Sequence, residues 1–428
     1  MVGFLRRDHD ALGSAASAGL VAVALGVLVL AGAGLPVGPA ALLPVVGPPP
    51  PSDAEVLAGW IRGLQYADVA AAESFGAIRI HHTAGHWYGQ VPYYRVVPYT
   101  SSLAVYSYLR SGSDGGLDVA ERWIDWYIGH MDLARTPPGV VLDTWYLADG
   151  TGETTCPPGI SPNYCPYEDA SDSYAGTFLL AVGEYAKHDP ARASAFLVAE
   201  ERRQGIERAA SVILFLQDPA DGLTWARHDY HAKYTMDNSE SYAGLRAAAV
   251  LESEVYGNAS RAELYAERAE AMRLGIEGQL YNGATSLYRI AKHENGAFDE
   301  ANLLAWYPGT APIVWPQLFG VHDPSSARAQ EQMKALIDGW DGLPMPDWSN
   351  NQVDPTGQLW TSIGNAALVG GHLEKARAHA AFVKCRKFPQ GNQADAFAWP
   401  WTVDDAARLL STLTGGVGAS VNAKSFCP

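Results

Sequence analysis

Helix-forming segments of two compositions alternate along this chain. One kind is charged and amphipathic: "AERWIDWYIGHMD", "AEERRQGIERAASVILFLQ", "SRAELYAERAEAMRLGIEGQL" and "SSARAQEQMKALIDGW". Such a helix has one wet face and packs on the outside. The other kind is poor in charge and rich in Ala, Gly, Ser and Thr: "SDSYAGTFLLAVGEY", "SESYAGLRAAAVLESEVYG", "GTAPIVWPQLFG" and "TGQLWTSIGNAALVGG". A helix apolar all round is buried, and small residues let its neighbours approach. Six outer and six inner helices, paired in sequence, describe an all-α fold, the (α/α)6 toroid. Its unit is a helical hairpin recurring roughly every 50–65 residues. Sustained period-2 runs are absent, so short extended segments are expected only in loops such as "GVVLDTWYL" and "SLYRIAK". "HHTAGHWYGQVPYY" also reads as a loop.

Two inner helices start with nearly the same words, "DASDSYAG" at Asp169–Gly176 and "DNSESYAG" at Asp237–Gly244. Equivalent positions in a toroid of hairpins converge on one mouth. The shared frame therefore predicts that Asp172 and Glu240 face a common cleft, with Asp169 and Asp237 one turn earlier. Helix capping is the plainer explanation, since Ser or Asp at a helix start stabilises it by about 1 kcal/mol. Capping does not explain Tyr174 and Tyr242, nor does it require the frame to repeat. The other inner-helix starts carry aromatics. Trp145, Trp306, Trp315, Trp360, Trp399 and Trp401 are candidate platforms for a ligand, against packing of the barrel ends as the bland alternative. Trp306 and Trp399 are favoured because Pro follows within two residues.

This layout resembles the six-hairpin glycosidase superfamily over most of the chain from about Asp53 to Leu413. The resemblance implies that inner-helix N-termini and the loops before them line a sugar cleft. It also implies carboxylates acting as general acid and general base, usually with inversion. Unsaturated glucuronyl hydrolases in that superfamily use aspartates at inner-helix starts. The chemistry asks for the same parts. One protonated carboxyl donates to the leaving oxygen, and one ionised carboxyl activates water or attacks. "NYCPYEDASDSY" and "KYTMDNSESY" supply Glu168, Asp169, Asp172, Asp237 and Glu240. The catalytic candidates are Asp172 and Asp237, then Glu240, then Asp143 in "VVLDTWYLADG". Asp169, Tyr174, Tyr242, His86, Trp145, Trp306, Trp360 and Trp399 are the substrate-binding candidates.

His81, His82 and His86 suit hydrogen bonds to hydroxyls better than a metal, because Gly85 argues against the helix that His82 and His86 would need. No cofactor motif occurs in a supporting context, so none is expected, and no acid cluster has calcium-ligand spacing. The net charge of -16 argues against nucleic acid. A carbohydrate is the expected partner, and a monomer the expected state.

Arg6-Arg7, an apolar stretch from about Leu12 to Val46 and the small-residue site Ala31-Gly32-Ala33 read as an export signal or an uncleaved anchor. Residues 1–52 are thus set apart from a catalytic domain at 53–428 that lies outside the cytoplasm. Four cysteines agree with an oxidising compartment; loop proximity favours Cys156–Cys165 with Cys385–Cys427. A polysaccharide lyase is the competing enzyme. It needs a Tyr or His base and a positive group such as Arg79, Arg95, Arg227, Arg246 or Lys233 to neutralise a uronate. A non-catalytic carbohydrate-binding toroid is the competing class.

Overall fold

The computed structural model describes residues 51–68, 73–303, 305–340, 358–388, 397 and 400–422. The N-terminal apolar segment, Trp399 and Cys427 lie outside them. Six outer helices are α1 (Asp53–Leu64), α3 (Gly116–Gly129), α6 (Glu200–Leu216), α8 (Ala259–Gly275), α10 (Ala327–Trp340) and α12 (Leu373–Lys387). Six inner helices are α2 (Pro98–Arg110), α4 (Ser171–His188), α7 (Thr235–Glu254), α9 (Ala311–Leu318), α11 (Ser362–Val369) and α13 (Val403–Thr412). Each inner helix packs on the next, and α13 returns to α2, so the ring closes into the toroid expected from the alternation. A short helix, α5 (Pro190–Leu197), is additional to the twelve. Asp189 caps it by accepting from the Arg192 amide at 3.0 Å, and Pro190 fits its first turn.

The repeated glycines explain how two inner helices come so close. A Cβ on Gly244 would stand 2.5 Å from the Gly176 carbonyl oxygen, and one on Gly176 would stand 2.8 Å from that of Glu240. The two copies of the frame therefore cross backbone to backbone. Gly176→Ala is expected to cost roughly 1–3 kcal/mol or more, because neither backbone can yield without moving its helix. A urea midpoint unchanged from the wild type would show that the helices have room after all.

Small sheets build the rim at the N-terminal ends of the inner helices. Strands β1 (His86–Tyr88), β2 (Val91–Val96) and β3 (Thr144–Tyr146) form an antiparallel sheet. "HHTAGHWYGQVPYY" is thus in part a hairpin rather than a loop. Gly89 takes φ +62° in its two-residue turn, a conformation glycine adopts without strain. β5 (Tyr281–Asn282) pairs with β6 (Leu287–Tyr288). β4 (Ala232–Tyr234), β7 (Ala291–His293) and β8 (Phe298–Asp299) form the other three-stranded sheet, and β4 runs directly into α7. Cys156 and Cys165 are joined by a disulfide, and Cys385 is also disulfide-bonded.

Candidate active site

The two copies of the frame do not start their helices at the same place. α4 begins at Ser171, two residues after Asp169, whereas α7 begins at Thr235, two residues before Asp237. The extra turn of α7 is anchored by the Thr235 amide and hydroxyl, which donate to the carbonyls of Ile290 (3.0 Å) and Arg289 (2.6 Å). Asp237 is therefore lifted onto the helix and into the cleft. Asp169 stays in the loop and accepts from the Tyr167 hydroxyl at 2.9 Å. Capping does not account for the repeat, because Ala170 stands at the start of α4 and no side chain caps it.

Three carboxyls of the frame gather here in different surroundings. Asp172 is fully buried. It accepts from the Thr224 hydroxyl at 2.6 Å and the Ser173 amide at 2.8 Å. Burial, then the charge of Asp237, pushes its carboxyl well above the usual range. Glu240 is also fully buried, with Oε1 accepting from the Tyr99 hydroxyl at 2.6 Å and the Trp315 indole N–H at 2.9 Å. Its Oε2 is buried without a partner. Burial, then the charge of Asp237, pushes Glu240 up to about 8. Asp237 is partly exposed, takes no hydrogen bond from the described residues, and is pushed up to about 6 by burial. Asp237 therefore gives up its proton more readily than Glu240 beneath it, and its charge pushes Asp172 the same way as Glu240.

Two cavities border these carboxyls or their partners. An open cleft of about 1100 Å³ is lined by Tyr167, Asp169, Arg227, Tyr230, Tyr234 and Asp237. A central cavity of about 650 Å³ is lined by Tyr99, Trp306, Tyr307, Trp315, Trp360 and, on α13, Asp404, Asp405 and Arg408. Tyr307 lines the central cavity and feels the charges of both Asp237 and Glu240. Trp360 stacks on Tyr307 at 5.3 Å. It holds φ +44°, a left-handed conformation that costs an aromatic residue roughly 1–3 kcal/mol.

Other candidates are placed differently. Asp143 is buried and accepts from Arg95 at 2.7 and 3.2 Å and from the Tyr174 hydroxyl at 3.0 Å. Burial pushes its carboxyl up, and Arg95 opposes the shift. This is a buried ion pair bridging β2, the loop before β3, and α4. Asp143→Asn is expected to destabilise the fold by about 3–5 kcal/mol by removing the carboxylate that neutralises Arg95. Turnover per folded molecule should change far less, and a stability change below 1 kcal/mol in urea unfolding would contradict this role. Trp145 is buried beneath Arg95, whose guanidinium lies 5.3 Å from its ring, so it packs the rim and offers no open face. His86 joins the hairpin to the disulfide loop through the Pro158 carbonyl at 2.9 Å. Tyr174 is buried on Asp143, and Tyr242 lies near Arg273 of the outer helix α8. Trp306 is buried, donates to the Ser362 hydroxyl at 3.0 Å and lines the central cavity. Among the described residues no group of His, Cys, Asp and Glu is arranged to hold a metal ion.

Sequence reasoning missed Tyr99, Tyr307, Asp404, Asp405 and Arg408. The signal for the acids was present: "TVDDAARLL" opens the last inner helix with a Thr402–Asp405 capping box. Asp404 accepts from the Arg408 Nε through both oxygens at 2.9 Å. Asp405 accepts from the Gln358 amide at 2.7 Å, and burial, then the charge of Asp404, pushes it up to about 6.

The chain shares this fold with solved structures. One titled "Glycosidase Wild Type" matches with a TM-score of 0.55 at 16% identity, over 86% of this chain and 96% of its own. An uncharacterized conserved protein from Thermus thermophilus matches with a TM-score of 0.53 at 11% identity, over 84% of this chain and 100% of its own. Neither a protein-family model nor a curated protein sequence matches. At such identities the likeness is one of fold.

Proposed function

We propose that this protein is an exported glycoside hydrolase that cleaves a poly- or oligosaccharide by carboxylate acid/base catalysis with inversion. The observation that carries the reading is Asp237: a partly exposed carboxyl, raised to about 6, beside an aromatic cavity at the barrel mouth. Asp237 is the carboxyl assigned to the glycosidic oxygen, to which it has a proton to donate up to about pH 6. Asp404 is assigned to water activation; burial pushes its carboxyl up, and Arg408 opposes that shift. The inner ring runs α2, α4, α7, α9, α11, α13, so α7 and α13 are opposite one another. Acids on opposite sides of a mouth leave room for the water that inversion requires. Asp172 and Glu240 are positioning residues buried beside Asp237, whose charge raises both. Trp360 and Tyr307 supply flat faces for a sugar ring. Export rests on the disulfides and the apolar N-terminal segment. No helix among the described residues is long and apolar enough to cross a membrane.

A lyase needs net positive charge at the uronate. Here Lys233 is buried between Asp218 and Asp221, at 2.7 Å from each, and Arg95 is committed to Asp143. The acids that line the two cavities outnumber the arginines. A panel of neutral and acidic polysaccharides tests the choice. Release of reducing ends without an ultraviolet-absorbing product is expected on a neutral glycan. Ultraviolet absorbance would mean a lyase, and tight binding without turnover would mean a carbohydrate-binding protein.

A further inference from the structure

We propose that the far end of the barrel carries a binding site for a small oxyanion, built on Arg408 and Arg110. A second cavity, of about 820 Å³, lies at the C-terminal ends of α2, α9, α11 and α13, opposite the mouth. Its polar lining includes Ser107, Arg110, Asn365, Arg408 and Ser411, and no Asp or Glu lines it. Arg408 borders both this cavity and the central one.

Arg408 is only 6% exposed. Its Nε donates to Asp404, while its two terminal nitrogens donate no hydrogen bond to the described residues. Neither nitrogen is sealed from cavity space, and the planar fork matches an oxyanion. The Ser107 and Ser411 hydroxyls are likewise unused by the described residues. Arg110 gives one nitrogen to the Tyr106 hydroxyl at 2.8 Å and keeps the rest of its fork. Glu184, the nearest acid felt by Arg110, is paired with Lys187 at 3.7 Å and stands outside the lining. The carbonyls of the helix ends oppose an anion. Two guanidiniums and two hydroxyls outweigh them, because each makes a direct hydrogen bond where the dipole acts from a distance.

Inorganic phosphate is the probe. Calorimetric titration of the full chain at constant ionic strength, with chloride as the control salt, is expected to show one phosphate per chain. Arg110→Met, at an exposed position, should weaken it at least tenfold, and Ser411→Ala several-fold. Asp237→Asn at the mouth should leave it unchanged. No phosphate-specific heat in the wild type would overturn the proposal. So would equal binding by wild type and Arg110→Met, or loss of binding in Asp237→Asn, which would put the anion at the mouth.

Discussion

Replacing Asp237 by Asn is expected to remove roughly two to four orders of magnitude from turnover while leaving the fold as stable as the wild type or more so. The two halves of that result have separate causes. Asparagine keeps the shape of the side chain but can neither hold nor release the proton. Asp237 takes no hydrogen bond from the described residues, so no partner is left unpaired. Its negative charge also raises both buried neighbours, Asp172 and Glu240. Removing it relieves that repulsion. The comparison variant is Asp404→Asn, which should also lose turnover but should destabilise the protein by freeing Arg408. Reducing-end assays and urea unfolding of both variants decide the matter. Full activity in Asp237→Asn would remove it from the chemistry. Lost activity together with lost stability would make it a structural acid.

The ring of inner helices was legible because composition reports burial directly: Ala, Gly and Ser on every face leave no side for water. Outer helices were legible for the complementary reason. α5 is announced only by Asp189-Pro190, a helix start that falls outside the alternation of hairpins. The functional acids were legible only as a group. The frame aligned Asp172 with Glu240 and both proved buried, whereas Asp237 reached the cleft. That difference arises from where each helix begins, which the contact of Thr235 with Arg289 and Ile290 decides. Such a contact spans more than fifty residues, roughly, and leaves no local pattern. The pairing of Asp143 with Arg95 is of the same kind, since the register of β2 against β3 sets Arg95 opposite Trp145. Asp404 and Asp405 have a local signal, the Thr402 capping box, but such a box marks a helix start whether or not its acids have a further role.

Glu240→Gln should make the protein markedly more stable above pH 8 and change little near pH 4.5. The wild-type carboxyl has an ordinary value of 4.5 and is pushed up to about 8 in the fold. Its neutral form is therefore the one the folded protein accepts. A carboxyl raised in this way contributes its full stability below the unfolded value and loses it as pH climbs through the folded one. The loss runs from about pH 4.5 to about pH 8, and a difference of this size corresponds to roughly 5 kcal/mol as an order of magnitude. Glutamine is neutral at every pH. Its carbonyl can keep the bonds from Tyr99 and Trp315, and its amide stands where the unpartnered Oε2 stood. Asp172 is raised for the same reason, so the variant should retain part of the alkaline decline. Urea midpoints taken every pH unit from 4 to 9 (about six points) give the test. Curves that diverge with rising pH place a protonated Glu240 beneath Asp237. Parallel curves would mean that Glu240 is ionised in the fold beside Asp237.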